Sequence, residues 1–169
     1  DRIDIGTWAN ISAEGWSSLL LGNGASIAIH KEFAYPTLHG IADAKGLLAT
    51  TAPIFAKLGT TDFEHVLLAC WYAEHVNVAL GTPSTDISAA YAEVRTALIE
   101  AVHSVHPVHA DVATDLQRVG AFASAFPTVV SLNYDLTLYW AMLLFNAANG
   151  SWFKDAFHDG EFQTDWEYL

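Results

Sequence analysis

Two clusters of small and polar residues, each set directly after an apolar run, carry the chemistry this chain could do. The first is Gly22-Asn23-Gly24-Ala25-Ser26, after Ser18-Leu19-Leu20-Leu21. Glycines at such a corner remove the Cβ atoms that would hold a phosphate away from the backbone. A helix starting there adds unpaired N–H groups and partial positive charge, and Ser26 adds a hydroxyl. The second cluster is Asn133-Tyr134-Asp135, after Thr128-Val129-Val130-Ser131-Leu132. An amide can orient a ribose hydroxyl or a water, and a carboxylate can accept a hydrogen bond from an amide or hydroxyl. Each cluster also has a plainer reading. The first could be a tight strand-to-helix turn with no ligand. In the second, Asp135 could cap the following helix and Asn133 hold its own turn. The pair in this order is more specific than either alone.

The elements that must position these groups follow from hydrophobic periodicity. Strands are expected over 18–22 and 128–132, as buried parallel strands that deliver polar groups to the carboxyl edge of a sheet. Residues 7–17 read as a short helix or turn. Short helices are expected over 25–32 and 37–48, the second opened by Pro36. Thr61-Asp62-Phe63-Glu64 reads as a capping box and Gly81 as a stop. Between them Phe63, Val66, Leu67, Cys70, Ala73 and Leu80 recur at helical spacing. Further helices are expected from Asp86 to Pro107, from Asp111 through Phe122, and from Leu136 to Ala148. The last is apolar nearly all round and is expected to be buried on most sides. The tail from Ser151 carries Trp152, Phe153, Phe157, Phe162, Trp166 and Tyr168, a density of aromatics that usually packs on something. Two parallel strands do not make a stable sheet alone. The missing strands are therefore expected from weakly marked segments, from a partner, or, the favoured source, from sequence beyond Leu169.

Bulk composition narrows the functions. With 169 residues, 52% of them hydrophobic, the chain can build one domain with a sizeable core. A formal net charge of −12 disfavours direct binding of nucleic acid. No apolar run is long enough for a membrane span. One cysteine, Cys70, rules out an internal disulfide and a four-cysteine zinc ribbon, and a reducing cytoplasm is the simplest compartment. His103, His106 and His109 raise a metal-binding reading, but Pro107 breaks the helix between them, so a solvated helix end is the expectation and no metal is expected. Glu64 reads as a cap residue, His65 and His75 as surface positions, and Cys70 as a buried small residue rather than a nucleophile.

Leu21-Gly22-Asn23-Gly24-Ala25-Ser26 followed by Leu132-Asn133-Tyr134-Asp135 resembles the sirtuin-like superfamily. Its members carry Gly-Ala-Gly-x-Ser after the first strand and Asn-x-Asp after a later one. The likeness is greatest to the bacterial anti-phage and uncharacterised branch without a zinc ribbon, which shares an Asp-Phe-Glu helix start, here Asp62-Phe63-Glu64. The resemblance spans about residues 19–140, and only the two motifs are specific.

The resemblance implies an α/β fold: one Rossmann-like domain over 1–169, the N-terminal part of a longer protein, its parallel sheet interrupted by a large helical insertion over about 37–125. It implies NAD as ligand or substrate, with Gly22, Asn23, Gly24, Ala25 and Ser26 as the cofactor-binding residues at the phosphates and adjoining ribose. Asn133 and Asp135 become the catalytic residues, facing the nicotinamide ribose and carboxamide. The implied reaction is cleavage of the nicotinamide–ribose bond, with Asn133 positioning the attacking water. The chain departs from the deacylases: it lacks the zinc ribbon and the Pro-Asp-Phe-Arg loop, and has Leu132 in place of a glutamine. That favours NAD hydrolysis. The His-Gly pair that supplies the family's base does not follow the Asn-Tyr-Asp strand; His158 is followed by Asp159 and Gly160, and His39-Gly40 comes too early. The base is expected beyond Leu169. The partners implied are a small-molecule nucleotide and either a second copy of the chain or that missing segment. Two other functions stay open: a non-catalytic sensor of NAD or ADP-ribose, and a structural domain that binds no nucleotide.

Overall fold

Both apolar runs become strands. In the computed structural model, which describes residues 7–12, 14–158 and 161–162, β1 (Ser18–Leu21) pairs with β2 (Thr128–Ser131) in parallel. The register sets Ser18 against Thr128 and Leu21 against Ser131. The ladder runs one bond further, because the Leu132 N–H donates to the Leu21 carbonyl at 2.9 Å.

The rest is mostly helical. After α1 (Trp8–Ile11) and β1, α2 (Asn23–Ile29) leads through a 3-10 turn (Lys31–Phe33) into α3 (Tyr35–Ala44). Then come α4 (Ala52–Leu58), α5 (Phe63–Leu80), α6 (Thr85–Val105) and α7 (His109–Ala123) before β2, and α8 (Thr137–Asn149) after it. Two two-residue strands, β3 (Phe157–His158) and β4 (Glu161–Phe162), pair antiparallel at the end of the described chain. The segment between the paired strands is thus helical, as expected. The described residues form a two-stranded parallel sheet rather than the wider sheet of a Rossmann-like fold.

Local chemistry accounts for the helix ends. The cap of α5 is Asp62 rather than Thr61: its Oδ1 accepts from the Glu64 N–H at 2.9 Å and the His65 N–H at 3.1 Å. Gly81, at φ +68°, ends the helix in the left-handed conformation glycine adopts freely. Helix α3 opens two residues earlier than expected, with Pro36 in its first turn, and stops at Ala44. Helix α2 starts at Asn23 and gives way to the 3-10 turn where one continuous helix was expected. Helix α4 was not expected at all. Its start is fixed from a distance: Glu93 on α6 accepts from the Thr50 and Thr51 backbone N–H groups at 2.9 and 3.0 Å and from the Thr51 hydroxyl at 2.9 Å.

Two clusters form the core. The larger joins the 3-10 turn, α3, α4, α5 and α6 through Phe33, Leu38, Phe55, Phe63, Val66, Val94, Leu98 and Val102. Each such phenylalanine or leucine, fully buried, contributes about 1.5–3 kcal/mol. The smaller joins α7 to α8 through Val112, Leu116 and Ala141, with Ile29 of α2 and Trp140 against it. There Gly120 lets the helices close up: a Cβ at that position would stand 2.9 Å from the Ala141 carbonyl oxygen and 3.1 Å from Phe145 Cβ.

Two burial expectations are corrected. Leu20 and Val130 keep 63% and 46% of their surface, so one face of the strand pair is open where both were expected covered. Tyr139 and Leu143 leave one side of α8 open in the same way. Of the tail aromatics, Phe153 packs edge-on against Phe145, and its N–H and that of Trp152 are held by Asn146 Oδ1. Trp166 and Tyr168 lie outside the described residues, as do Asp159 and Gly160. No helix among the described residues is long and apolar enough to cross a membrane.

Candidate functional site

Parallel pairing sends both polar corners off the same edge of the sheet, because β1 and β2 end side by side at Leu21 and Ser131. The corners touch. The Ser26 hydroxyl donates to Asp135 Oδ2 at 2.5 Å, and Ser26 is fully buried. The other carboxylate oxygen, Oδ1, accepts from the Thr137 N–H at 2.8 Å and from the Thr137 hydroxyl. Asp135 therefore closes an Asx turn onto the first residue of α8, one position before the cap residue Leu136. A carboxylate holding three hydrogen bonds is fixed in place and mostly saturated.

Asn133 differs from its neighbour. Its backbone N–H donates to Ser131 Oγ at 3.2 Å, but its side-chain amide makes no hydrogen bond to another described residue. Asn23, across the crevice, uses its amide N–H to hold the Phe33 carbonyl at 3.2 Å and so ties the start of α2 to the 3-10 turn. Asn23, Asn133 and Asp135 line one crevice together with Phe33, Tyr35, Glu64 and Tyr134, over a floor that includes the core residues Leu38, Leu98 and Val102.

Gly22, Gly24, Ala25 and Ser26 are not on that lining, and Ser26 touches it only through its bond to Asp135. Gly22, the residue before α2, is extended (φ −108°), and Gly24 does not adopt positive φ. A Cβ at either position would meet nothing within 4 Å. Neither backbone conformation nor packing requires glycine there, so what the two residues keep clear is the space outside the corner.

Tyr35, Glu64 and Tyr134 were not among the expected site residues. Glu64 had been absorbed by the capping reading, and Tyr35 lay just before the expected helix with no role given to it; no local pattern signals that α3 and α5 each bring a side chain to the crevice. Burial raises the Tyr35 hydroxyl pKa, and the Glu64 carboxylate it hydrogen-bonds, with Asp62 nearby, raises it further. Tyr134 is raised in the same direction by burial, then by Glu64 and Tyr91, with Arg95 pulling the other way. Both phenols stay protonated as donors.

His106 is a second residue missed. Read from the sequence as a solvated helix end, it instead accepts the Leu136 N–H on Nε2 at 3.0 Å and packs edge-on against Phe33 and Trp140. It thereby braces the Asn-Tyr-Asp corner from behind. Among the described residues no three His, Cys, Asp or Glu side chains are grouped to hold a metal ion.

The crevice has a volume of about 20 Å3, room for a single water. A groove of about 520 Å3 lies elsewhere, between α4, α5 and α6, but apart from Lys57 and Asp86 its walls are apolar. The chemistry converges at the small crevice; the large groove offers volume without convergent polar groups. Volume alone is a poor guide to a site, because orientation and specificity come from the few polar groups that converge.

No curated protein and no solved structure matches this chain. A family model described as a domain of unknown function, DUF4917, matches residues 19–169. That match takes in both strand-end corners and most of the chain, which therefore belongs to the DUF4917 family.

Proposed function

We propose that the paired corners bind an NAD-type dinucleotide and promote cleavage of its nicotinamide–ribose bond. The observation that carries this reading is the 2.5 Å hydrogen bond between Ser26 and Asp135. It brings the glycine corner and the Asn-Tyr-Asp corner to one edge, a short distance apart, so that one extended ligand could reach both. The proposal includes kinship with sirtuin-like proteins and a Rossmann-like layout of the full sheet.

The residues divide the work by chemistry. The clear space over Gly22 and Gly24 suits the pyrophosphate. Ser26 and Asp135, already bonded to each other, act as positioning residues that hold the corners in register. Asn133, with its amide uncommitted, orients the water that attacks the ribose carbon as the neutral nicotinamide leaves; the water's proton passes to solvent, and ADP-ribose and nicotinamide are the products. The negatively charged crevice favours the positive charge that develops on the ribose. Ligand entry requires a wider opening than the crevice has, and the exposed lining side chains, Tyr134 and Glu64, are the ones that would move.

Nicotinamide release from NAD by the protein, compared with Asn133→Ala, tests this. Release that falls by two orders of magnitude or more in the variant, about 3 kcal/mol of lost stabilisation, supports it. Equal release from both folded proteins refutes the role of Asn133. The saturated carboxylate of Asp135 favours a second reading, a sensor that binds NAD or ADP-ribose without turnover; tight binding with no release selects it.

A further inference from the structure

We propose that the cleft where the end of α7, the start of β2, α8 and the Trp152–Phe153 segment meet is a second ligand site, for a planar aromatic molecule carrying one carboxylate. This does not rest on the dinucleotide reading. Pro127 and Val129 put the cleft at the amino end of β2, whereas the two corners leave the carboxyl ends of the strands.

The cleft has a volume of about 510 Å3, inside the range of about 300–1,000 Å3 common for small-molecule sites. Its floor is apolar: Phe126 is buried, with Val129 and Met142 beside it. Trp152, Phe153 and Lys154 supply the opposite wall.

That wall is held in place by α8. Gly150, at φ +80°, turns the chain back after the helix. Asn146 then uses both ends of its amide on the returning segment. Its Oδ1 accepts from the Trp152 N–H at 3.0 Å and the Phe153 N–H at 2.8 Å, and its Nδ2 donates to the Phe153 carbonyl at 2.9 Å. Both aromatic rings stand edge-on to Phe145. Phe153 is half-buried by this arrangement, yet Trp152 keeps 61% of its surface. A large ring that is fixed in position and left open is a stacking platform ordered before any ligand arrives.

Charge selects the ligand. Among the described residues Lys154 is the one charged side chain on the lining, and it forms no ion pair with another of them. Asp155, next in the chain, is off the lining, and its Oδ1 accepts from the Phe157 N–H at 3.1 Å. The carboxyl end of α7 would add partial negative charge, but its last carbonyls are occupied. Those of Gly120, Phe122 and Ala123 accept from the N–H groups of Ser124, Ala125 and Phe126, and that of Ala121 accepts from the Ser124 hydroxyl at 2.8 Å. In a chain with a formal net charge of −12, this cleft presents an unmatched cation. An aromatic ring stacked on Trp152 with its carboxylate towards Lys154 uses both features. A neutral ring leaves the ammonium unmatched, and an aliphatic acid leaves the indole face unstacked.

Titration of the protein with 2-naphthoate, with the neutral 2-naphthylmethanol and with cyclohexanecarboxylate tests this. Binding is followed at the Trp152 indole N–H in proton–nitrogen correlation NMR spectra, where Trp152→Phe identifies the signal by removing it. A saturable shift with 2-naphthoate is expected, at an affinity about five-fold above that of the alcohol, the scale of an exposed ion pair. Cyclohexanecarboxylate should bind more weakly than 2-naphthoate. Lys154→Gln, at an exposed position, should erase the preference for acid over alcohol and leave the alcohol's affinity unchanged. No saturable shift with 2-naphthoate, equal binding of acid and alcohol, equal binding of the two acids, or a preference that survives Lys154→Gln overturns the inference.

Discussion

The Ser26 hydroxyl and the Asp135 carboxylate, 109 residues apart in the chain, meet at 2.5 Å. The bond is short, buried at its donor and charge-assisted. It clamps the two loops that leave the paired strands.

Ser26→Ala should therefore destabilise the fold by about 1–3 kcal/mol, the cost of a lost hydrogen bond to a charged acceptor at a buried position. Urea unfolding of Ser26→Ala, Asp135→Asn and the double variant measures the coupling. The expected interaction energy is about 0.5–3 kcal/mol; strict additivity would show that the bond does not hold in solution.

The glycines separate packing from function. Gly120→Ala should cost about 1–3 kcal/mol, because the added methyl meets the Ala141 carbonyl oxygen at 2.9 Å. Gly24→Ala should leave stability unchanged or raise it by up to about 1 kcal/mol, since the position is open and lies in the first turn of α2. Thermal melts of the two variants should move in opposite directions.

His106→Phe keeps the aromatic packing against Phe33 and Trp140 but removes the acceptor of the Leu136 N–H. A loss of about 1–3 kcal/mol is expected in chemical denaturation. A variant as stable as the parent would mean that the ring matters only as packing.

Glu93 links acid sensitivity to α4. Partial burial alone would raise its pKa, but its hydrogen bonds from Thr50 and Thr51 outweigh that and hold the carboxyl below its ordinary value of 4.5. A carboxyl with a depressed folded-state pKa contributes stability above its unfolded value and loses it as pH falls through the folded value. Stability should thus decline as pH drops below about 4.5, and Glu93→Gln should flatten that decline. An identical acid profile in the variant would contradict the assignment.

Local chemistry made the paired corners legible. Val129 and Val130 mark a strand, an abrupt change to Asn133 and Asp135 marks its end, and parallel pairing with Leu19-Leu20 follows from placing both corners on one edge. Asp62 and Gly81 bounded α5 almost to the residue. What stayed hidden depends on distant partners. Helix α4 is short and takes its cap from Glu93 on another helix; Thr51-Ala52-Pro53 followed by Gly59 at φ +64° was the faint local signal. Tyr35 and Glu64 reach the crevice only through the tertiary packing of α3 and α5. His106 gives no local hint that its acceptor serves an N–H 30 residues later. The open faces of Leu20, Val130 and Leu143 were likewise invisible, because periodicity reports apolar character and not what covers it.

The proposed activity requires one dinucleotide to reach from the glycine corner to the Asn-Tyr-Asp corner. Calorimetric titration of NAD+ into the wild-type protein and into Gly24→Val tests it most directly. Saturable binding of one molecule per chain, lost in a Gly24→Val variant that remains folded, is the result expected. No binding to the wild type, or undiminished binding to Gly24→Val, would contradict it.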